Sequence, residues 1–173
     1  SDYLILHNGE KMIKKPVIGL MLGDVTGIGP EVAVRLLEKI KNHQSTRVVI
    51  VGDLRVLKVG MEDSGITIDF HLAKDVDAID WTKTGFPLID LQNVDPATIV
   101  RGATSIESGR LCGETLKVMT DWAQVGKLDA ICFAPLNKGA LNKGGWKYRD
   151  EHEMFATWNH HQGYYGEVNL IKL

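Results

Sequence analysis

The sequence predicts an α/β fold, a parallel-rich sheet with helices on both faces. Two observations carry that expectation. Pro16 to Leu22, Arg47 to Gly52 and Ala130 to Pro135 are short and almost continuously apolar, as expected of strands buried on both faces. Amphipathic stretches of helical length lie between them, so strands and helices alternate along the chain.

Residues 1 to 15 read as a mixed arm that ends in Lys14-Lys15. The strand Pro16 to Leu22 follows. It runs into Gly23-Asp24-Val25-Thr26-Gly27-Ile28-Gly29-Pro30-Glu31, a glycine-rich turn with proline where a helix begins. The helix from Glu31 to Ile40 is expected to bury Val32, Leu36, Leu37 and Ile40, with Arg35, Glu38, Lys39 and Lys41 opposite. After the strand Arg47 to Gly52, Asp53 is a natural cap for a helix over Leu54 to Met61. Ile66 to Leu72 alternates and predicts a half-buried strand, with Ile66, Ile68, Phe70 and Leu72 on one face. Phe86 to Leu91 is a further strand, ended by Val94-Asp95-Pro96. Ser105 and Ser108 are both placed to cap the longest helix, Glu107 to Val125, whose buried stripe is Cys112, Leu116, Met119 and Ala123. Ala130 to Pro135 reads as another buried strand. A basic, amide-bearing loop or short helix from Leu136 to Lys143 follows it, then a helix over Asp150 to Trp158 with Met154, Phe155 and Trp158 on its apolar side. Tyr164 to Leu173 reads as the start of a strand that stops short, so the sequence is expected to be the front part of a longer protein.

The 173 residues suffice for one α/β domain or a little more. Their hydrophobic content of 44% and charged content of 24% are ordinary for a globular protein. A net charge of −2 gives no electrostatic footprint for nucleic acid or an anionic membrane surface. No apolar run approaches membrane-spanning length. Cys112 and Cys132 lie in apolar patterns without metal spacing, and they read as reduced core residues of a cytoplasmic protein.

Three stretches carry chemistry. In the opening turn, Gly23, Gly27 and Gly29 have neither the dinucleotide spacing nor the Lys-Ser/Thr of a phosphate loop. Spacing alone leaves a turn that holds an anion or polar cofactor and a tight turn with no ligand equally open. The second stretch, Ala134-Pro135-Leu136-Asn137-Lys138, offers Lys138 as a point charge for a phosphate or carboxylate and Asn137 as an amide of fixed geometry, with Asn142 further on. In a parallel sheet both loops sit at strand carboxyl ends, where ligands bind. The third, Asp150-Glu151-His152-Glu153, is the densest titratable cluster. From the residues alone, a solvated helix start that complements the dipole is favoured over a site. His160-His161 reads as surface. No metal site is built by spacing, since His-x-x-x-His, HExxH and paired CxxC are all absent.

With these residues laid out, the chain resembles the 4-hydroxythreonine-4-phosphate dehydrogenase family of vitamin B6 biosynthesis. That family opens on a strand and Gly-Asp-Pro-Ala-Gly-Ile-Gly-Pro-Glu, which stands here as Gly23 to Glu31 with departures at Val25 and Thr26. A small residue, Pro and a Lys-bearing loop with a later Asn appear as Ala134 to Asn142. The resemblance runs from Pro16 to about Phe155. It implies an isocitrate/isopropylmalate dehydrogenase-like fold in two domains, the first over 16–126 and the second beginning at 127–173 and truncated. It also implies a homodimer acting on a small molecule.

By that resemblance the enzyme uses NAD and a divalent metal (Zn, Mg or Co) to oxidise a hydroxy acid, which then loses carbon dioxide. Gly23, Asp24, Thr26, Gly27 and Gly29 become cofactor-side residues, and Asn137, Lys138, Glu151 and His152 substrate-side residues. The metal ligands are expected outside this chain, and no residue here is assigned as catalytic. The family's Gly-His-Thr-Glu reads Asp150-Glu151-His152-Glu153, so Glu151 stands for the family histidine, or His152 does with a one-residue shift. An anionic Glu151 would repel a phosphate, which keeps a phosphorylated sugar acid or a cyclic cis-diol carboxylate open as substrate. Two other classes also stay open: a phosphate acyl- or acetyltransferase-like enzyme, and a non-catalytic fragment.

Overall fold

A computed structural model of the chain describes residues 3–5, 12–95, 97 and 99–163. The strand expected at Tyr164 to Leu173 lies outside the described residues. A short antiparallel pair, β1 (Tyr3–Ile5) and β2 (Met12–Lys14), precedes the main sheet. That sheet contains β3 (Val17–Met21), β4 (Arg47–Gly52), β5 (Phe70–Ala73), β6 (Phe86–Asp90) and β7 (Ala130–Phe133). Its order is β5-β6-β4-β3-β7, with every neighbouring pair parallel. The helices are α1 (Gly29–Ile40), α2 (Leu54–Ser64), α3 (Ile106–Gln124), α4 (Lys138–Lys143) and α5 (Glu151–Trp158). None among the described residues is long and apolar enough to cross a membrane.

Strand alternation divides the core. Leu20, Leu22, Ile50 and Leu88 pack with Ala33, Val34 and Leu37 of α1 and Val56 and Leu57 of α2. Val17, Met21, Val49, Val51 and Ile89 point the other way, to Cys112, Leu116 and Met119 of α3 and Met154 and Trp158 of α5. The sheet therefore has helices on both faces, as its apolar strands predict. Both β7 and α5, from the segment beyond residue 126, add to this same sheet and core.

Several boundaries and faces differ from expectation. The buried side of α1 is Pro30, Ala33, Val34 and Leu37, while Val32 and Leu36 are 39% and 37% exposed. Close packing against α2 turns the helix this way: a Cβ on Gly60 would come within 2.5 Å of the Pro30 carbonyl oxygen. The strand expected over Ile66 to Leu72 shrinks to Phe70–Ala73, because β5 is an edge strand paired only with β6. Ile68 still enters the core, but Leu72 points out. The expected buried strand at Ala130 to Pro135 is β7, the other edge, and three of its four residues are exposed. Cys132 is therefore exposed, and only Cys112 has the core position expected of both cysteines. An apolar composition reports that a strand belongs in a sheet, not that both its faces are covered within these residues.

The helix starts follow from their caps. Asp53 accepts from the Arg55 amide to open α2, Ser105 accepts from the Ser108 amide to open α3, and Asp150 accepts from the Glu153 amide to open α5.

Candidate functional site

The turn after β3 leads to α1 on one face, and the turn after β7 leads to α4 and α5 on the other. Since β3 and β7 are neighbours, their carboxyl ends form a switch point, where an α/β sheet opens a crevice. The two expected loops meet there. The Asp24 amide donates to the Pro135 carbonyl oxygen at 3.3 Å. Gly23 has φ +80°, and a Cβ there would lie 2.7 Å from the Ala134 Cβ. Glycine is needed at this position both for the left-handed backbone and for the close approach of the two loops.

The polar groups of the opening turn face inward. The buried Asp24 carboxylate accepts from the Thr26 amide and the Thr26 hydroxyl, each at 2.8 Å, and from the Ser108 hydroxyl at 2.5 Å. The Gly27 amide donates to the Asp24 carbonyl oxygen. At Gly29 a Cβ would come within 2.9 Å of the Leu22 carbonyl oxygen, so this glycine serves the turn's own packing. The amides of Asp24, Thr26 and Gly27 are thus used within the chain. The turn shapes the crevice wall, and it does not fit a dinucleotide pyrophosphate cradle.

Below Asp24, the thiol of Cys112 is pushed up to about 12, first by burial and then by the nearby carboxylate, against a smaller opposing hydrogen bond with Ser108.

Across the crevice the substrate-side candidates converge in part. Asn137 caps α4, its Oδ1 accepting from the Ala140 amide at 2.9 Å. Lys138 is the next residue; its ammonium lies 3.4 Å from the Glu151 carboxylate, with side chains 64% and 17% exposed. Glu151 is therefore the member of the 150–153 cluster whose carboxylate reaches the lysine. The neighbouring His152 has Nδ1 3.9 Å from Asp150 Oδ1. Asp150 is held below the usual carboxylate range by the Glu153 amide first and then by the Arg149 side chain. Leu141, Trp146, Tyr148 and Met154 line the hollow beneath Lys138 and Glu151.

Other polar groups at the same end of the sheet carry no motif in the sequence. The Asp53 carboxylate accepts from the Arg55 side chain and amide and from the Val94 amide. Burial raises its pKa, but these donors overcome that and hold it low. Asp90 accepts from the Leu54 amide, joining the ends of β6 and β4. Arg110 of α3 bridges Glu107, Glu114 and the Asn93 carbonyl oxygen, which raises its pKa. Capping signals foretell only the backbone bond of Asp53, because the remaining partners are distant in sequence.

No group of three or more His, Cys, Asp or Glu side chains among the described residues could hold a metal ion. These residues do not fit a metal centre by themselves.

Comparison with known proteins identifies the relatives. The sequence profile described as "Pyridoxal phosphate biosynthetic protein PdxA" matches residues 44–169. A putative 4-hydroxythreonine-4-phosphate dehydrogenase of Pasteurella multocida is 37% identical, over 91% of this chain and 47% of its own length. A putative D-threonate 4-phosphate dehydrogenase of Oceanobacillus iheyensis is 34% identical, over 84% of this chain and 44% of its own. Among solved structures, a 4-hydroxythreonine-4-phosphate dehydrogenase from Burkholderia phymatum superposes with a TM-score of 0.75 at 32% identity, covering 87% of this chain and 46% of that one. The chain spans about half the length of the curated relatives it matches. It belongs to the PdxA family of pyridoxal phosphate biosynthetic proteins.

Proposed function

We propose that the chain works as the first half of a dehydrogenase that oxidises a small hydroxy acid bearing a phosphate, such as 4-phosphohydroxythreonine or D-threonate 4-phosphate. The observation that carries this reading is the exposed Lys138 ammonium, held 3.4 Å from Glu151 beside the crevice between β3 and β7. Relatives bearing both dehydrogenase names support it. Lys138 binds the substrate's anionic group as a point charge. Glu151 fixes the lysine and reduces its net charge. The Gly23–Ala134 contact sets the spacing of the crevice walls.

NAD would accept the hydride, and a divalent metal would acidify the hydroxyl and polarise the ketone before decarboxylation. We assign the metal ligands and the dinucleotide phosphate site to residues outside those described. A homodimer is part of the same proposal, as is a cytoplasmic location.

Glu151 favours a second reading of the substrate. A carboxylate beside the lysine discriminates against a phosphate dianion, which suits a cyclic cis-diol carboxylate. Calorimetric titration of the full-length protein with NAD tests the dehydrogenase class. Saturable binding is expected. No binding would assign the crevice to phosphate acyl transfer or to a non-catalytic role.

A further inference from the structure

We propose that Trp146 is a positioning residue for the substrate pair: its indole, seated on α3 beneath α4 and α5, fixes Lys138 relative to Glu151. The proposal rests on the reading of those two residues as substrate-side groups. Lys138 opens α4 and Glu151 opens α5, so the 3.4 Å between their charges depends on how the two helices are placed. These helices have six and eight residues. Helices so short are marginal by themselves, and their placement comes from tertiary contacts. Trp146 lies in the connection between them. Its amide donates to the Leu141 carbonyl oxygen of α4 at 3.1 Å, and its carbonyl oxygen accepts from the Tyr148 amide at 3.0 Å.

Three contacts hold the indole in one orientation. Its Nε1 donates to the Arg110 carbonyl oxygen of α3 at 3.2 Å, using the lone pair that a helix carbonyl has to spare. Gly113, one turn further along α3, leaves the space that the ring fills: a Cβ there would lie 2.0 Å from Nε1. On its other side the ring meets Trp158 of α5 edge to face, with centroids 5.5 Å apart and planes at 82°. One side chain thus touches α3 and α5 while its backbone is bonded to α4. Its role is indirect. The hollow that Trp146 lines beneath Lys138 and Glu151 measures about 10 Å³, room for one water at most. A substrate is excluded from it, so the indole acts through the two charged side chains above.

The test is a double-mutant cycle in the full-length enzyme, with KM and kcat measured on 4-phosphohydroxythreonine and D-threonate 4-phosphate. Trp146→Leu removes the ring, and Trp146→Phe keeps a ring but removes the N–H. A misplaced Lys138 loses binding that ground state and transition state share, so KM should rise while kcat changes less than about twofold. The expected rise is about tenfold for Trp146→Leu and about threefold for Trp146→Phe. In a Lys138→Ala background neither substitution should raise KM further, because the group that Trp146 positions is gone. A merely structural role would instead lower activity by the same factor in both backgrounds. Trp146→Phe decides the matter if Trp146→Leu does not fold. The positioning role is overturned if Lys138→Ala raises KM but the Trp146 variants do not, or if their effects multiply with that of Lys138→Ala. Unchanged KM in Lys138→Ala alone, or no turnover by the unsubstituted enzyme, would overturn the substrate-side reading and this proposal with it.

Discussion

The Ser108 hydroxyl donates to the Asp24 carboxylate at 2.5 Å, joining residues 84 positions apart in the buried interior. This contact ties the turn after β3 to the first turn of α3. It converts a local glycine-rich turn into a fixed wall of the crevice. The Thr26 hydroxyl and amide complete the carboxylate's shell.

Removing the Ser108 hydroxyl leaves a buried carboxylate short of a donor. Ser108→Ala is expected to destabilise the protein by about 2 kcal/mol. Asp24→Ala orphans both hydroxyls and the Thr26 amide, and should cost about 3 kcal/mol. Urea unfolding of both variants checks this. An effect below about 0.5 kcal/mol in each would show that the shell is not a stability element.

The same region gives a pH dependence. Burial raises the Cys112 thiol from 9.0 in an ordinary setting to about 12 in the fold. Above pH 9 the unfolded thiol ionises while the folded one keeps its proton, so the unfolded state binds fewer protons and stability falls as pH rises. The contribution is fully present below pH 9 and lost by about pH 12. Denaturant melts at pH 8 and pH 10 should show the fall, and Cys112→Ala should show less of it. Equal slopes in both proteins would contradict the assignment.

The glycines of α3 make a sharper structural prediction. A Cβ on Gly109 would lie 1.8 Å from the Ala140 carbonyl oxygen, and one on Gly113 would lie 2.0 Å from Trp146 Nε1. Backbone cannot yield as a side-chain tip can. Gly109→Ala is expected to cost about 3 kcal/mol and to push α4, with Lys138, away from α3. Gly139→Ala is the control, since its Cβ would meet only the Asn137 side chain at 3.3 Å. Thermal melts of the pair should differ by several degrees.

Much of this was legible in the sequence. Continuous apolar runs marked β3 and β4, and Asp53 and Ser105 marked helix starts because capping is local. The crevice followed from two loops at strand carboxyl ends. What was hidden depends on distance in sequence. Ser108 has the look of a second cap, yet its side chain serves Asp24. Nothing near Gly109 or Gly113 announces that α4 and Trp146 rest on them. The buried face of α1 is ambiguous in the sequence, because Val32 and Leu36 fit a helical period as well as Ala33 and Val34 do, and only packing on α2 decides between them. The exposure of β7 is not legible in composition, which cannot say which strand is last in the sheet.

For the proposed substrate pair, stability and function should separate. Lys138 is mostly exposed, so Lys138→Ala should change stability by less than about 1 kcal/mol. In the full-length enzyme it should raise KM for a phosphorylated substrate about tenfold or more, with a smaller effect on kcat. Glu151→Gln frees the lysine charge and should lower that KM. Steady-state kinetics with both variants checks the pair, and an unchanged KM in each would remove Lys138 and Glu151 from the site.

The most direct measurement is NADH absorbance from the full-length protein with NAD and magnesium, zinc or cobalt. The panel holds 4-phosphohydroxythreonine, D-threonate 4-phosphate and a cyclic cis-diol carboxylate. Metal-dependent NADH formation is expected with at least one phosphorylated hydroxy acid, and it should weaken in Lys138→Ala. No NADH with any substrate and any of the three metals would contradict the dehydrogenase reading.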